Sequence, residues 1–360
     1  MHVPRPARLA AAIVVGIATL QALMLLAFAW PAANVAPREL PIAVAGPAPA
    51  VQQVESALTD VQGPDADVAA FDVVTVDDAD AARAAIEDRE VYGAVVVSPD
   101  GPQLLVASGA GPAVAQLLRS AATELSPAGA TVPVEDVVPT DQDDPIGAGL
   151  GAAMLPLVMT SVAGGIIVGF VLRSTRNRLA AVTGIAIVGG LVSAALLQYA
   201  LGIVDGSYLE VAGVLALLIG AVSATMAGLV ALFGRAGAII GVLTMIFVGN
   251  PLSAAATAWE MLPQPWGAIG QLLPPGAGVS ATRSVAFFDG AASAQPLTVL
   301  AMVRGRSPRG ASVSLATELA TSARCAARCV TVQPGSTLGN AMTSAGNAAS
   351  QSRTRRWPAW

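Results

Sequence analysis

The side chains that most often carry catalytic chemistry are nearly missing from this sequence. Its 360 residues include one His (His2), two Cys (Cys325 and Cys329) and no Lys, so all 19 basic residues are Arg. A phosphate-binding loop of the G-x-x-x-x-G-K-[ST] type and a Schiff base both need a Lys. A structural zinc site needs about four Cys or His ligands. The sequence therefore predicts a non-enzymatic chain with no cofactor and no bound metal.

Two short acidic clusters, Asp77–Asp80 and Asp141–Asp144, are the next candidates for binding chemistry. Clustered carboxylates attract Ca²⁺, but neither cluster has the Gly and terminal Glu spacing of an EF-hand loop. We expect solvated acidic surface at both places, with a Ca²⁺ site as the alternative.

Polar and Pro-rich positions interrupt the apolar C-terminal half. A Pro frees a backbone carbonyl and kinks a helix, and broken positions in membranes often line pathways. The segment 259–293 keeps partly helical spacing between its prolines and is expected to be an outer interfacial or re-entrant element. The alternative for Asn250 is the outer end of a span, where it meets water. The candidate pathway or gating residues are Asn250, Pro251, Trp259, Pro263, Pro265, Trp266, Pro274, Pro275 and Gly276.

The elements that must position these residues are long and apolar. The composition is 54% hydrophobic and 12% charged, with a mean hydropathy of +0.65, whereas soluble domains average about 25% charged residues. About 20 apolar residues span a bilayer. The first run is either a retained anchor or a signal peptide cleaved after Ala29. The sequence predicts five transmembrane helices, over Leu9–Trp30, Gly147–Leu172, Leu179–Ile203, Leu209–Phe233 and Ala236–Ala258.

Small residues spaced by four within these runs predict close helix contacts, because they let backbones approach in lipid. The pairs are Gly147 with Gly151, Gly165 with Gly169, and Gly237 with Gly241.

The charges between the runs predict an orientation. Arg residues collect on the cytoplasmic side of membrane proteins, and alternate connections here carry Arg5 and Arg8, then Arg173, Arg176 and Arg178, then Arg235. We therefore expect a multi-pass protein of the cell membrane with a cytoplasmic N-terminus and with residues 33–145 outside.

Residues 33–145 have a different composition, with 19 of the 24 acidic residues and four Arg. Alternating periodicities and turn signals predict the order β-α-β-α-β-β-α, which is typical of a small α/β domain. Residues 127–145 are expected to form an extended acidic linker back to the membrane.

The predicted fold is thus a polytopic α-helical membrane protein with an inserted extracytoplasmic α/β domain. Its parts are an N-terminal transmembrane helix (1–32), the external domain (33–145), a transmembrane bundle (146–300) and a basic, disordered tail (301–360). A sixth helix begins near Pro296 but is truncated or lost, since the tail carries eight Arg and one acidic residue. The alternatives for the tail are contact with anionic lipid and a shifted reading frame.

Two stretches resemble the membrane subunits of ABC type 2 transporters, in the branch with the phage-infection-protein (Pip) and YhgE-like permeases. One is Asp80–Val97. It is similar to the family's pattern of a helix that ends in a Gly and is followed by a strand of the external domain. The other is Val248–Pro251 with Leu262–Pro263 and Leu272–Gly276, which is similar to the Pro-rich region before the last helix.

The resemblance implies a permease subunit of an exporter that pairs with a second permease subunit and with a separate ATP-binding subunit. Its substrate is unidentified, and nucleic acid is not expected as a partner. The ATPase-facing candidates that the resemblance implies are Arg5, Arg8, Arg173, Arg176 and Arg178, and the alternative is that these Arg only set the topology. The alternative function is a non-transporting envelope protein whose external domain is a docking or phage-receptor surface.

Overall fold

The structure is a computed structural model that describes residues 5–64, 68–99, 101–125 and 132–302, and two dipeptide strands at 305–306 and 312–313. The helices are α1 (Arg5–Ala33), α2 (Ala48–Thr59), α3 (Ala79–Glu87), α4 (Pro112–Leu125), α5 (Gly149–Val171), α6 (Thr175–Ala195), α7 (Tyr208–Phe233), α8 (Arg235–Val242), α9 (Trp266–Gln271), α10 (Pro274–Phe287) and α11 (Ala294–Ala301). The strands are β1 (Leu40–Ala45), β2 (Phe71–Val76), β3 (Gly93–Ser98), β4 (Gly101–Val106), β5 (Val134–Asp136), β6 (Gly305–Arg306) and β7 (Ser312–Val313).

Among the residues that the structure describes, four helices are long and apolar enough to cross a membrane: Leu9–Ala33 within α1, then α5, then α6 with its π-helical extension to Ala200, and α7. The predicted fifth span is shorter than expected. Its helix covers Arg235–Gly249, and the last seven residues are π-helical. At 1.5 Å per residue, 15 residues extend about 22 Å, less than the roughly 30 Å hydrocarbon core.

Helix α7 lies at the centre of the bundle, and glycines on its neighbours allow close approach. A Cβ added to Gly165 of α5 would lie 2.5 Å from the carbonyl oxygen of Ser223, and one on Gly190 of α6 would lie 2.5 Å from that of Ala212. Two thirds of the apolar window of α7 is buried (67%), whereas none of the α1 window is (0%).

The segment between α1 and α5 forms a five-stranded mixed sheet in the order β2-β1-β3-β4-β5. β1 pairs in parallel with β2 and β3, since α2 and α3 carry the chain across, and β3 and β4 form an antiparallel hairpin. The order of elements up to α4 is the one that the sequence predicts. β5 pairs in parallel with β4, so part of the stretch predicted as a linker (127–145) is the edge of the sheet.

Both faces of the sheet are completed by residues from the C-terminal half. On one face, Phe288 packs into the cluster formed with Ile86 of α3. On the other face, Ala258 and Met261 pack into the cluster formed with Leu118 of α4. The sheet is thus held between two bundle segments, 254–261 and 286–291, rather than attached only through its chain ends.

The segment predicted as interfacial, 259–293, is a series of short elements. Pro265 immediately precedes α9, and Pro274 and Pro275 occupy the first turn of α10. The predicted sixth helix is described as α11, with eight residues. Apart from the end of α11, Met302 and the paired strands β6 and β7, the predicted tail 301–360 lies outside the described residues, as do Cys325 and Cys329.

Candidate functional site

The break at Asn250 and Pro251 ends the fifth apolar helix. The π-helical turn stops at Gly249, and Pro251 opens a 3-10 turn that ends at Ser253. The carbonyl of Asn250 accepts hydrogen bonds from the backbone N–H (3.2 Å) and hydroxyl (2.7 Å) of Ser253. Ala254 then adopts a left-handed conformation, with φ of 56°. The carbonyl of Asn250, at the end of the helix, is therefore satisfied locally.

Close backbone approaches hold the Pro-rich segment against itself. A Cβ on Gly270 would lie 1.9 Å from the carbonyl oxygen of Leu252, and one on Gly276 would lie 2.2 Å from that of Gly270. Pro275 lies against Gly249, so the start of α10 packs on the end of the fifth helix. Only glycine fits at these approaches.

The remaining Pro-rich candidates divide by exposure. Trp259 and Trp266 are 37% and 45% exposed, and Pro265 is exposed beside them. Pro263 is buried, as are the three residues 274–276 at the start of α10. The structure therefore brings the buried prolines inside the segment and leaves both Trp rings on its surface.

Helix α10 runs antiparallel to α7 and reaches well along it. A Cβ on Gly206, just before α7, would lie 2.7 Å from the carbonyl oxygen of Val285. A Cβ on Gly278 would lie 2.5 Å from a methyl of Leu218, ten residues into α7. At 1.5 Å per residue this is about 15 Å, so the Pro-Pro-Gly start of α10 lies beside the middle of α7.

Arg283, on the same helix, is buried and holds the loop that follows the 3-10 turn. Its guanidinium donates to the carbonyls of Ala254 (3.0 Å), Ala255 (2.7 Å) and Thr257 (2.9 Å), and only 4% of the residue is exposed. Buried carbonyls without donors cost free energy. Arg283 therefore stabilises the irregular backbone between Pro251 and Trp259.

Two residues of the sheet domain reach the same region. Arg89, which follows α3 with φ of 59°, donates to the carbonyl of Ser280 (3.1 Å) and to the hydroxyl of Ser284, and it lies 5.1 Å from the ring centroid of Phe288. The Tyr92 hydroxyl donates to Glu260 Oε2 at 2.9 Å. We call Arg89, Tyr92, Glu260 and Arg283 the junction cluster.

Burial is the main cause of the pKa shifts of Arg89, Tyr92 and Glu260, the junction-cluster residues that lie outside α10. Burial raises the pKa of Glu260 to about 7, although the Tyr92 hydroxyl and the Arg89 charge partly oppose the shift. Burial and the Glu260 charge raise the pKa of Tyr92, and burial lowers that of Arg89. Glu260 is therefore the group here that changes charge near neutral pH.

A cavity of about 800 Å³ opens beside the cluster. We call it the junction cavity, because its lining comes from the end of α3, the stretch after β5, the α6–α7 loop and the corner between α10 and α11. Its carboxylates and aromatic residues are Glu87, Asp88, Asp205, Asp289, Phe287 and Phe288.

The predicted ATPase-facing Arg residues lie in two places. Arg5 and Arg8 belong to the first turns of α1. Arg173 and Arg176 are exposed at the turn between α5 and α6. Arg178 instead donates to the carbonyls of Leu172 and Gly169 (3.0 Å for the latter) and so caps α5.

The acidic clusters singled out in the sequence take structural roles. The Asp78 carboxylate accepts from the N–H of Ala81 and caps α3, and Asp144 accepts from the N–H groups of Ala148 and Gly149 at the start of α5. Partial desolvation and the neighbouring Asp141 raise the pKa of Asp205. No group of three or more His, Cys, Asp or Glu side chains suited to a metal ion occurs in the part of the chain that the structure describes.

Sequence reasoning missed the junction cluster and the cavity. Tyr92 and Glu260 are 168 residues apart, and Arg89 and Ser284 are 195 apart, so no local spacing links them. One signal was available, since Arg283 is an isolated charge among apolar and small residues of a Pro-rich segment.

The chain was compared with protein-family models, with curated proteins and with solved structures, and none of them matches it.

Proposed function

We propose that the chain is the membrane permease subunit of an exporter of the ABC type 2 kind, with energy from a separate ATPase subunit. The observation that carries the proposal is the Pro-Pro-Gly start of α10, which lies beside the middle of α7 and packs on the end of the interrupted fifth helix. Irregular backbone at membrane depth is tolerated where it is buried in protein or lines a pathway, and Pro-interrupted segments are typical of transport sites.

The orientation is part of this proposal. Arg173 follows α5 and Arg235 follows α7, and both lie at the end of the bundle away from the sheet domain, because α5 and α7 run parallel. With Arg on the cytoplasmic side of the cell membrane, the sheet domain is extracytoplasmic. A second permease subunit completes the assembly.

The attachment of the sheet domain supports a coupled role for it. Both faces of the sheet contact segments that also contact α7 or the Pro-rich break. A movement of the break would therefore move the sheet domain. A passive receptor domain needs no such attachment, and this favours a transport role over the docking alternative.

The test starts with purification of the full chain from its native membrane after mild cross-linking. An ATPase subunit should co-purify, and the double variant Arg173→Glu and Arg176→Glu should lose it while membrane insertion is unchanged. Arg119→Glu, on the sheet domain, is the matched control and should retain the partner. Absence of any ATPase partner, together with unchanged efflux of amphipathic dyes on deletion, would favour the docking alternative.

A further inference from the structure

We propose that the junction cavity binds an organic cation with an apolar body. The inference goes beyond transport, because it concerns equilibrium binding and stands whether or not the chain is a permease.

The charge at the cavity has one sign. Glu87 and Asp88 come from the end of α3, Asp205 from the α6–α7 loop and Asp289 from the α10–α11 corner. All four residues are exposed, so they meet the solvent that a ligand would replace. None of the described residues that line the cavity is basic, and a cleft lined by one sign of charge concentrates ions of the opposite sign.

The remaining surface selects an apolar ligand body. The stretch after β5 contributes Val137, Val138 and Pro139, and the α10–α11 corner contributes Phe287 and Phe288. Phe288 already accepts the Arg89 guanidinium, at 5.1 Å from the ring centroid. This contact is a cation–π interaction, the type of contact that an aromatic side chain at the cavity can make with an organic cation.

The spacing of the carboxylates argues against a metal ion as the ligand. A divalent cation needs several oxygens at about 2.0–2.6 Å from one point, and no cluster of this kind occurs among the residues described. The four carboxylates instead surround a cavity of about 800 Å³, within the 300–1,000 Å³ range typical of small-molecule sites. Charge spread over such a volume suits a large cation with diffuse charge.

The binding test compares two ions of the same shape and opposite charge. Tetraphenylphosphonium and tetraphenylborate are titrated by equilibrium dialysis against the full chain in lipid nanodiscs, with empty nanodiscs to correct for partition into lipid. We expect saturable binding of one tetraphenylphosphonium per chain, weakened by added salt, and no saturable binding of tetraphenylborate. Tetramethylammonium, which lacks the apolar body, should bind at least about tenfold more weakly.

Variants locate the site. Asp289→Asn and Glu87→Gln should each weaken tetraphenylphosphonium binding by about fivefold, and Asn suits the left-handed backbone of residue 289, where φ is 48°. Glu55→Gln removes an exposed carboxylate of α2 outside the cavity and should leave binding unchanged. If Asp289→Asn fails to fold, Glu87→Gln combined with Asp88→Asn, both on the exposed end of α3, takes its place.

Three results would overturn the proposal. One is equal binding of the two tetraphenyl ions, which means partition into apolar surface. Another is an equal effect of Glu55→Gln and Glu87→Gln, which means general attraction to the acidic domain. The third is displacement of tetraphenylphosphonium by micromolar Ca²⁺, which means a metal site.

Discussion

The bundle around α7 and the junction between bundle and sheet domain are held by different forces. In the bundle, apolar helices approach at glycines such as Gly165 and Gly190, and the fit depends on volume. At the junction, Arg283 is buried and Arg89 and Glu260 are partly buried, and the three side chains are satisfied by carbonyls, hydroxyls and a ring.

The difference teaches which perturbations each region resists. Close packing of apolar side chains does not depend on pH, but it is disrupted when a small residue is replaced by a larger one. A buried polar cluster tolerates small changes of volume but fails when one partner is removed, and it responds to protonation. The junction is therefore the part of the molecule that can change under physiological conditions without loss of the bundle.

The largest effect is expected from Gly165→Leu, which tests the shape-packed region. A Cβ at this position would lie 2.5 Å from a backbone oxygen of Ser223 and 2.6 Å from Cβ of Met226, so α5 and α7 must separate. Overpacking costs roughly 1–3 kcal/mol or more, and we expect aggregation during size-exclusion chromatography in detergent. Gly16→Leu on α1, with nothing within 4 Å of the added atom, is the control. Equal behaviour of the two variants would show that α5 and α7 are not closely packed.

The next effect is expected from Arg283→Met, which tests the junction. The change leaves the carbonyls of Ala254, Ala255 and Thr257 without a donor, and each loss costs about 1–3 kcal/mol. The Tm in detergent should fall by more than about 5 °C, and limited proteolysis should cut near residues 254–259 first. Arg119→Met, which breaks a partly exposed ion pair with Asp136, should lower the Tm by much less, and an equal fall would contradict the role of burial.

A smaller effect is expected from Glu260→Gln, which should raise the Tm instead of lowering it. In the folded protein the pKa of Glu260 is about 7, above its ordinary value of 4.5. Between these values the folded state holds a proton that the unfolded state releases, so stability falls as the pH rises through this window. Gln keeps the shape without the charge, so the variant should exceed the wild type in Tm by roughly 3 °C at pH 8 and match it at pH 4.5.

The control for that measurement is a variant outside the junction, on α1. The Tm of Gly16→Leu should follow the wild-type pH dependence, because the change is remote from Glu260. A Glu260→Gln protein that is less stable than the wild type at pH 8 would show that the Tyr92 bond and the Arg89 charge outweigh burial.

The smallest effect is expected from Arg83→Gln. This substitution abolishes an ion pair that lies at the solvated surface and not in the interior. Arg83 pairs with Glu135, and their side chains are 34% and 40% exposed. Exposed ion pairs contribute little to stability, so thermal unfolding should be unchanged within error. A clear loss would mean that charge itself, and not its burial, distinguishes the junction from the bundle.

Much of the shape-packed region could be predicted because its signals are local. The fourth run, Leu209–Phe233, differs from α7 by one residue, and Gly165 and Gly169 do meet α7. Hydropathy overestimated the fifth span, because a sliding average does not register the π-helical turn and the break at Asn250. Gly147, expected in a helix contact, lies before α5 with φ of 68°.

The junction could not be predicted in the same way. The left-handed backbone at Arg89 and the burial of Glu260 follow from tertiary contacts between distant parts of the chain. A single sequence reports that charges exist, but not which carbonyl or carboxylate each of them meets. The same holds for the junction cavity, whose acidic lining comes from three regions between Glu87 and Asp289.

The position of Phe288 and Met261 in the core of the sheet has a consequence for biosynthesis. The last strand of the five-stranded sheet ends at Asp136, yet both faces of this sheet are completed by residues translated more than a hundred codons later. While the ribosome makes the bundle, the sheet domain has bare apolar patches on both faces. A chain released before Ala258 would keep them bare, and it would be a substrate for chaperones and proteases although every strand of the five-stranded sheet is present.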